Sequence, residues 1–139
     1  MTDWEAKVWG RTRQIVASEH YSKHQLELTE GGYCSLHYHK YRANKFTLIS
    51  GKVEIVEFYG PIYHITELSS GMVHSVPSCV AHLFIVIEAG EMIEEYYSDR
   101  GGIVDLTDII RLSEGGVEAI NLLSDLPQKL IGQITCSKT

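Results

Sequence analysis

From about Gln14 to Ser98 the chain consists of short apolar or alternating runs, none with helical periodicity, separated by turn signals. The runs cover residues 14–19, 25–29, 33–39, 45–49, 52–58, 62–66, 73–76, 82–88 and 92–97. Gly31-Gly32, Ser50-Gly51, Gly60-Pro61, Ser70-Gly71 and Ala89-Gly90 punctuate them, because glycine and proline supply the positive or fixed φ of tight turns. Roughly nine strands are too many for a flat sheet of this size and predict a closed barrel or a double-sheet jelly roll, an all-β fold.

The 139 residues suffice for one buried core, so a single domain over 1–139 is expected, with the barrel at about 9–111 and a C-terminal extension over 112–139. After Tyr97 the character changes. Residues 98–102 read as a polar loop, residues 106–111 as a helical turn with Asp105 or Thr107 as N-cap, and residues 117–123 as an apolar stretch packed on the barrel.

Eighteen acidic residues against twelve basic ones give a net charge of −6, without any Lys/Arg block, so nucleic acid is excluded as a partner. The longest apolar stretch, about 79–88, is broken by His82 and too short for a bilayer, and the first ten residues carry no apolar signal core; a cytoplasmic protein with no membrane partner is expected. Three cysteines without CxxC spacing argue against a disulfide framework and a cysteine zinc site, leaving reduced thiols as the expectation. Seven histidines are the one mild excess, and they direct attention to metal chemistry.

His37 and His39 lie two apart in an expected strand, so both rings project from one face and can share an ion. Around them run Gly31, five residues, His37-Tyr38-His39, four residues, Asn44, six residues and Gly51; later, Gly71 leads through Pro77 to His82. This arrangement resembles the two motifs of the cupin superfamily, in which an HxH, an acid and a later histidine hold a metal inside a double-stranded β-helix. The resemblance implies a divalent transition metal (Zn, Mn, Ni or Fe) held by His37, His39, His82 and the residue at position 44. There the chain departs from the pattern: Asn44 replaces the usual glutamate, and a neutral amide oxygen leaves a bound ion its full formal charge.

A narrower resemblance follows Trp9-Gly10, the stretch from Ser35 to Phe46, Ser50-Gly51, Ile93-Glu94 and the stretch from Asp108 to Arg111, in order. These match the cupin domain of type II mannose-6-phosphate isomerases, with His37 where that family has a ligating Gln. The likeness implies aldose–ketose isomerisation, with Glu94 as the acid that moves a proton and Arg111 near a phosphorylated sugar. Glu94 also reads as a solvated edge-strand acid, and Arg111 as a surface charge paired with Asp108 on a helical turn. Tyr33 and Arg42 are candidate substrate-binding residues; Tyr33 and Ser35 share the parity of His37. His64 and His74 fall outside both motifs and read as hydrogen-bonding or surface residues. The alternation over 52–58 reads as core or as a dimer contact, and homodimers are common among cupins. The expected ligand is a small molecule, carbohydrate in class. Two other functions fit the same residues: a three-histidine iron oxygenase, and a non-catalytic binding cupin.

Overall fold

A computed structural model describes residues 2–98 and 101–119. Nine strands form one curled antiparallel sheet: β1 (Glu5–Lys7), β2 (Gly10–Ala17), β3 (Tyr21–Leu28), β4 (His37–Tyr38), β5 (Ala43–Tyr59), β6 (Ile62–Leu68), β7 (Val73–Val76), β8 (Ala81–Tyr97) and β9 (Ile110–Arg111). No helix among the described residues is long and apolar enough to cross a membrane.

Two 17-residue strands organise everything else. β5 and β8 pair from Ala43↔Tyr97 to Phe58↔Ala81, with register shifts between Leu48 and Val53. Beyond those shifts the neighbours change. On one side lie β1, β2, β3, the end of β8, the start of β5, and β7; on the other lie β9, β4, the start of β8, the end of β5, and β6. The two halves meet face to face, with the Phe46 ring 6.2 Å from Phe84 and 6.3 Å from His82.

Ser50-Gly51 and Ala89-Gly90 therefore do not end strands as expected. The ladder continues through them because two glycine backbones lie against each other at the bend. A Cβ on Gly90 would sit 2.0 Å from the Ser50 carbonyl oxygen, and one on Gly51 would sit 2.6 Å from those of Glu88 and Ala89. A glycine inside a strand pattern here marks close backbone approach and bulging, not a turn.

Leu26, Leu36, Phe46, Leu48, Ile55, Leu68, Leu83 and Met92 are almost wholly removed from water, and burial of this kind stabilises the fold by about 25 cal/mol per Å². The run 52–58 belongs to this core: β6 and β8 flank it, and Val53, Ile55, Val56 and Phe58 are buried.

The expected helical segment is absent among the described residues. Asp105 does act locally as a cap, its carboxylate accepting the Thr107 backbone N–H at 2.9 Å and hydroxyl at 2.7 Å. The chain then leaves the turn and pairs as β9 with β4, Tyr38↔Ile110 and His37↔Arg111. Ladder hydrogen bonds and the packing of Ile110 on the core outweigh a weak local preference for helix. Val117 is exposed, whereas Ala119 packs on the core; the remainder of the apolar stretch expected over 117–123 lies outside the described residues. Cys34 is a free buried thiol, but Cys79 is disulfide-bonded, which corrects the expectation of reduced thiols throughout.

Candidate metal centre

His37 is fixed by backbone pairing, with His82 of β8 on one side and Arg111 of β9 on the other. Strand alternation places less than expected, because only residues 37 and 38 of the run 33–39 are strand. Ser35 still reaches the central cavity, but Tyr33 does not: it forms isolated bridges with Ile85 and Gly116 and packs against the core. His39 lies beyond the strand and is oriented by a loop contact with Asp108. The Asp108 carboxylate accepts the N–H groups of Lys40 and Tyr41 at 2.9 and 2.8 Å, so it anchors this loop and is not the partner of Arg111. His82 follows the Pro77 turn, where Cys79, at φ +66°, donates its N–H to the His39 carbonyl at 2.7 Å and ties the two ligand loops together.

The three rings converge. Their centroids are 4.9 Å (His37–His39), 4.6 Å (His37–His82) and 5.5 Å (His39–His82) apart, and one ring nitrogen from each lies within 4.8 Å of the others. Each Nδ1 meets a backbone carbonyl: Ser35 at 2.7 Å, Asp108 at 2.6 Å and Val80 at 2.9 Å respectively. A carbonyl only accepts, so each Nδ1 carries the proton and each Nε2 keeps its lone pair. The Arg42 Nε lies 3.1 Å from the same His39 nitrogen and is a packing contact with an atom already protonated.

Nε2 of His39 and of His82 are buried without a protein partner. Burial holds the rings neutral, lowering His37 well below its ordinary range, His39 to about 2 and His82 to about 4, with neighbouring imidazoles or Arg42 adding to the effect. Neutral, pre-oriented imidazoles with orphaned nitrogens are the donor set a divalent transition metal requires, and the backbone carbonyls behind them fix the tautomer.

Asn44, wholly buried on β5, is the Cα partner of Tyr96. Its amide N–H donates to the Glu94 carboxylate at 2.7 Å, and its Oδ1 is a third orphaned buried atom. The residue thus positions Glu94 while offering a neutral oxygen. Glu94 lies on β8 between β3 and β5 and is no edge-strand acid. It opens on a cavity of about 550 Å³ also lined by His37, His82, Arg42 and Arg111. Burial raises its pKa, opposed by Tyr96, Arg42 and the Asn44 bond. Arg42 is buried with its guanidinium 4.0 Å over the Tyr96 ring, whereas Arg111 is exposed where it lines the cavity.

Sequence reading missed His24, which also lines the cavity and faces Glu94 across the β3–β8 ladder. The signal was present. Starting that strand at Tyr21 instead of Gln25 puts His24 on the same face as the buried Ser22, Leu26 and Leu28.

No family model matches the chain, and no curated protein matches it. Solved structures do. The Bacillus subtilis oxalate decarboxylase at pH 4.6 aligns with a TM-score of 0.68 and 18% identity, over 94% of this chain and 33% of that one. A W96Y variant of the B. subtilis enzyme aligns at 0.68 and 17%, over 99% and 38%. The Lactobacillus farciminis enzyme in its formate complex aligns at 0.66 and 17%, over 93% and 37%. The chain spans about a third of the length of these structures. At such identities the likeness shows the fold, which is the cupin β-barrel that the two motifs led one to expect.

Proposed function

We propose that this metal-binding cupin moves a proton between adjacent carbons of a small oxygenated substrate, carbohydrate in class, as an isomerase or epimerase. One observation carries the reading: three neutral imidazoles converge on one point, and two of them, His37 and His82, line the same cavity as a carboxylate, Glu94, that a buried amide holds in place. His37, His39 and His82 would hold the ion, with Asn44 Oδ1 as a further neutral donor. When bound, a divalent ion would supply a Lewis-acidic centre for charge on a substrate oxygen.

The chain's own residues supply the rest. Asn44 and the Tyr96 hydroxyl hold the Glu94 carboxylate in place, and Glu94 would take a proton from one substrate carbon and return it to the next. That transfer conserves atoms and electrons and needs no co-reactant. Arg111 is available to a distal phosphate or hydroxyl group. The test is solvent deuterium incorporation, followed by proton NMR, into aldoses, ketoses and their phosphates with zinc-, manganese- or nickel-loaded protein. Exchange at the carbon beside the carbonyl is expected, and absence of exchange across the panel overturns the reading.

The neutral amide of Asn44 favours a second reading, a three-histidine iron oxygenase, since among the described residues no carboxylate joins the imidazole cluster. Oxygen uptake by anaerobically iron-loaded protein against thiols, diketones and sugars separates the two.

A further inference from the structure

The geometry points to a carboxylate-binding corner in this cavity, built from Arg42 and His24 on the ring of Tyr96. It rests on the reading that the cavity takes a small oxygenated ligand, and it names the charged group that ligand carries.

Arg42 is 3% exposed and lines the cavity, yet every group close to it is neutral: the Tyr96 ring at 4.0 Å, the Asp105 carbonyl oxygen at 3.3 Å and the His39 imidazole. Among the described residues no carboxylate lies within 4.0 Å of it; Glu94 and Asp105 feel it only at longer range. A buried guanidinium without a counter-ion is costly unless a ligand brings the anion, and its forked donors suit a carboxylate.

His24 supplies a second donor. Its Nε2 lies 2.7 Å from the hydroxyl of buried Ser22, and that hydroxyl already accepts the Gln14 amide N–H at 3.1 Å. The Ser22 proton has one acceptor in reach, His24 Nε2, so the imidazole carries its own proton on Nδ1. Among the described residues Nδ1 has no protein partner and is not sealed off, which leaves an N–H for a ligand in the cavity that His24 lines. The His24 ring meets Tyr96 edge-on at 5.2 Å, so one aromatic ring carries both donors.

The charge count selects among oxyanions. One cation and one neutral donor balance a single negative charge, and Glu94, opposite His24 in the β3–β8 register, works against a second. A monoanionic carboxylate fits this corner better than a phosphate dianion.

The experiment is calorimetric titration of metal-loaded and metal-free protein with glucuronate, glucose 6-phosphate and glucose. Glucuronate is expected to bind about tenfold or more tightly than glucose in both forms, since an ionic hydrogen-bonded pair distinguishes them. Arg42→Met should abolish the preference, Arg42→Lys should restore part of it, and His24→Gln should weaken glucuronate alone by a few-fold at unchanged metal content. Nitrogen-15 NMR should show His24 as the Nδ1–H tautomer, perturbed by glucuronate. Should Arg42→Met fail to fold, Arg42→Lys and His24→Gln carry the test. The inference is overturned if glucose equals glucuronate, if the preference vanishes without metal, if glucose 6-phosphate binds more tightly through Arg42, or if the variants bind like wild type. Protein that takes up no metal but keeps the preference would end the metal-dependent reading and leave the carboxylate corner standing.

Discussion

Two histidine-bearing polar clusters share strand β5, and they differ in how far their polar atoms are paired. In the pocket between β5, β6 and β7, buried Glu57 has both carboxylate oxygens engaged, one by His74 Nε2 and one by the Tyr59 hydroxyl at 2.7 Å. In the imidazole cluster and beside it, His39, His82 and Asn44 each present a buried atom with no protein partner. Glu57 is even the Cα partner of His82, so neither residue type nor neighbourhood separates the clusters. Satisfaction does. A polar network that pairs all its atoms holds a fold together, whereas one left open toward a cavity calls for a ligand.

The comparison breaks most visibly on metal content. His39→Ala or His82→Ala should reduce bound zinc or nickel from about one per chain to a small residue by elemental analysis, while His74→Ala leaves it unchanged. Next in size, Glu94→Gln should lower substrate deuterium exchange by about 10²–10⁴-fold with metal content intact. On the closed cluster the effect moves to stability: His74→Ala strands part of Glu57 and should cost about 1–3 kcal/mol in urea unfolding without touching metal uptake.

The smallest effect is in acid. His24 is lowered to about 4 from 6.5, by burial first and by Arg42 second. The folded state therefore binds fewer protons than the unfolded state between those values, so this group's contribution is complete above about pH 6.5 and is lost as pH falls toward 4. His24→Gln should flatten part of the decline in Tm of metal-free protein over that window, as read by calorimetric melting.

The all-β pattern, the HxH pair, the later histidine and the cupin barrel were legible in the sequence because alternation and motif spacing are local properties. Long-range pairing was not. Gly51 and Gly90 read as turns, since nothing local reveals that they meet backbone to backbone at a bend. Residues 106–111 read as helical because Asp105 is a good cap, and only the distant partner strand at His37 and Tyr38 makes Ile110–Arg111 a strand. Nothing local to Arg42 shows that, among the described residues, no carboxylate lies within 4.0 Å of it; that is a tertiary fact. Tyr33 shows the opposite failure: parity placed it beside His37, and an irregular backbone before β4 turned it into the core packing instead.

The most direct test of the three-imidazole centre is anomalous diffraction from crystals soaked in zinc or nickel. A single strong peak about 2.0–2.2 Å from Nε2 of His37, His39 and His82 is the expected result. A peak on Glu57 and His74, or none within reach of the three imidazoles, would contradict it.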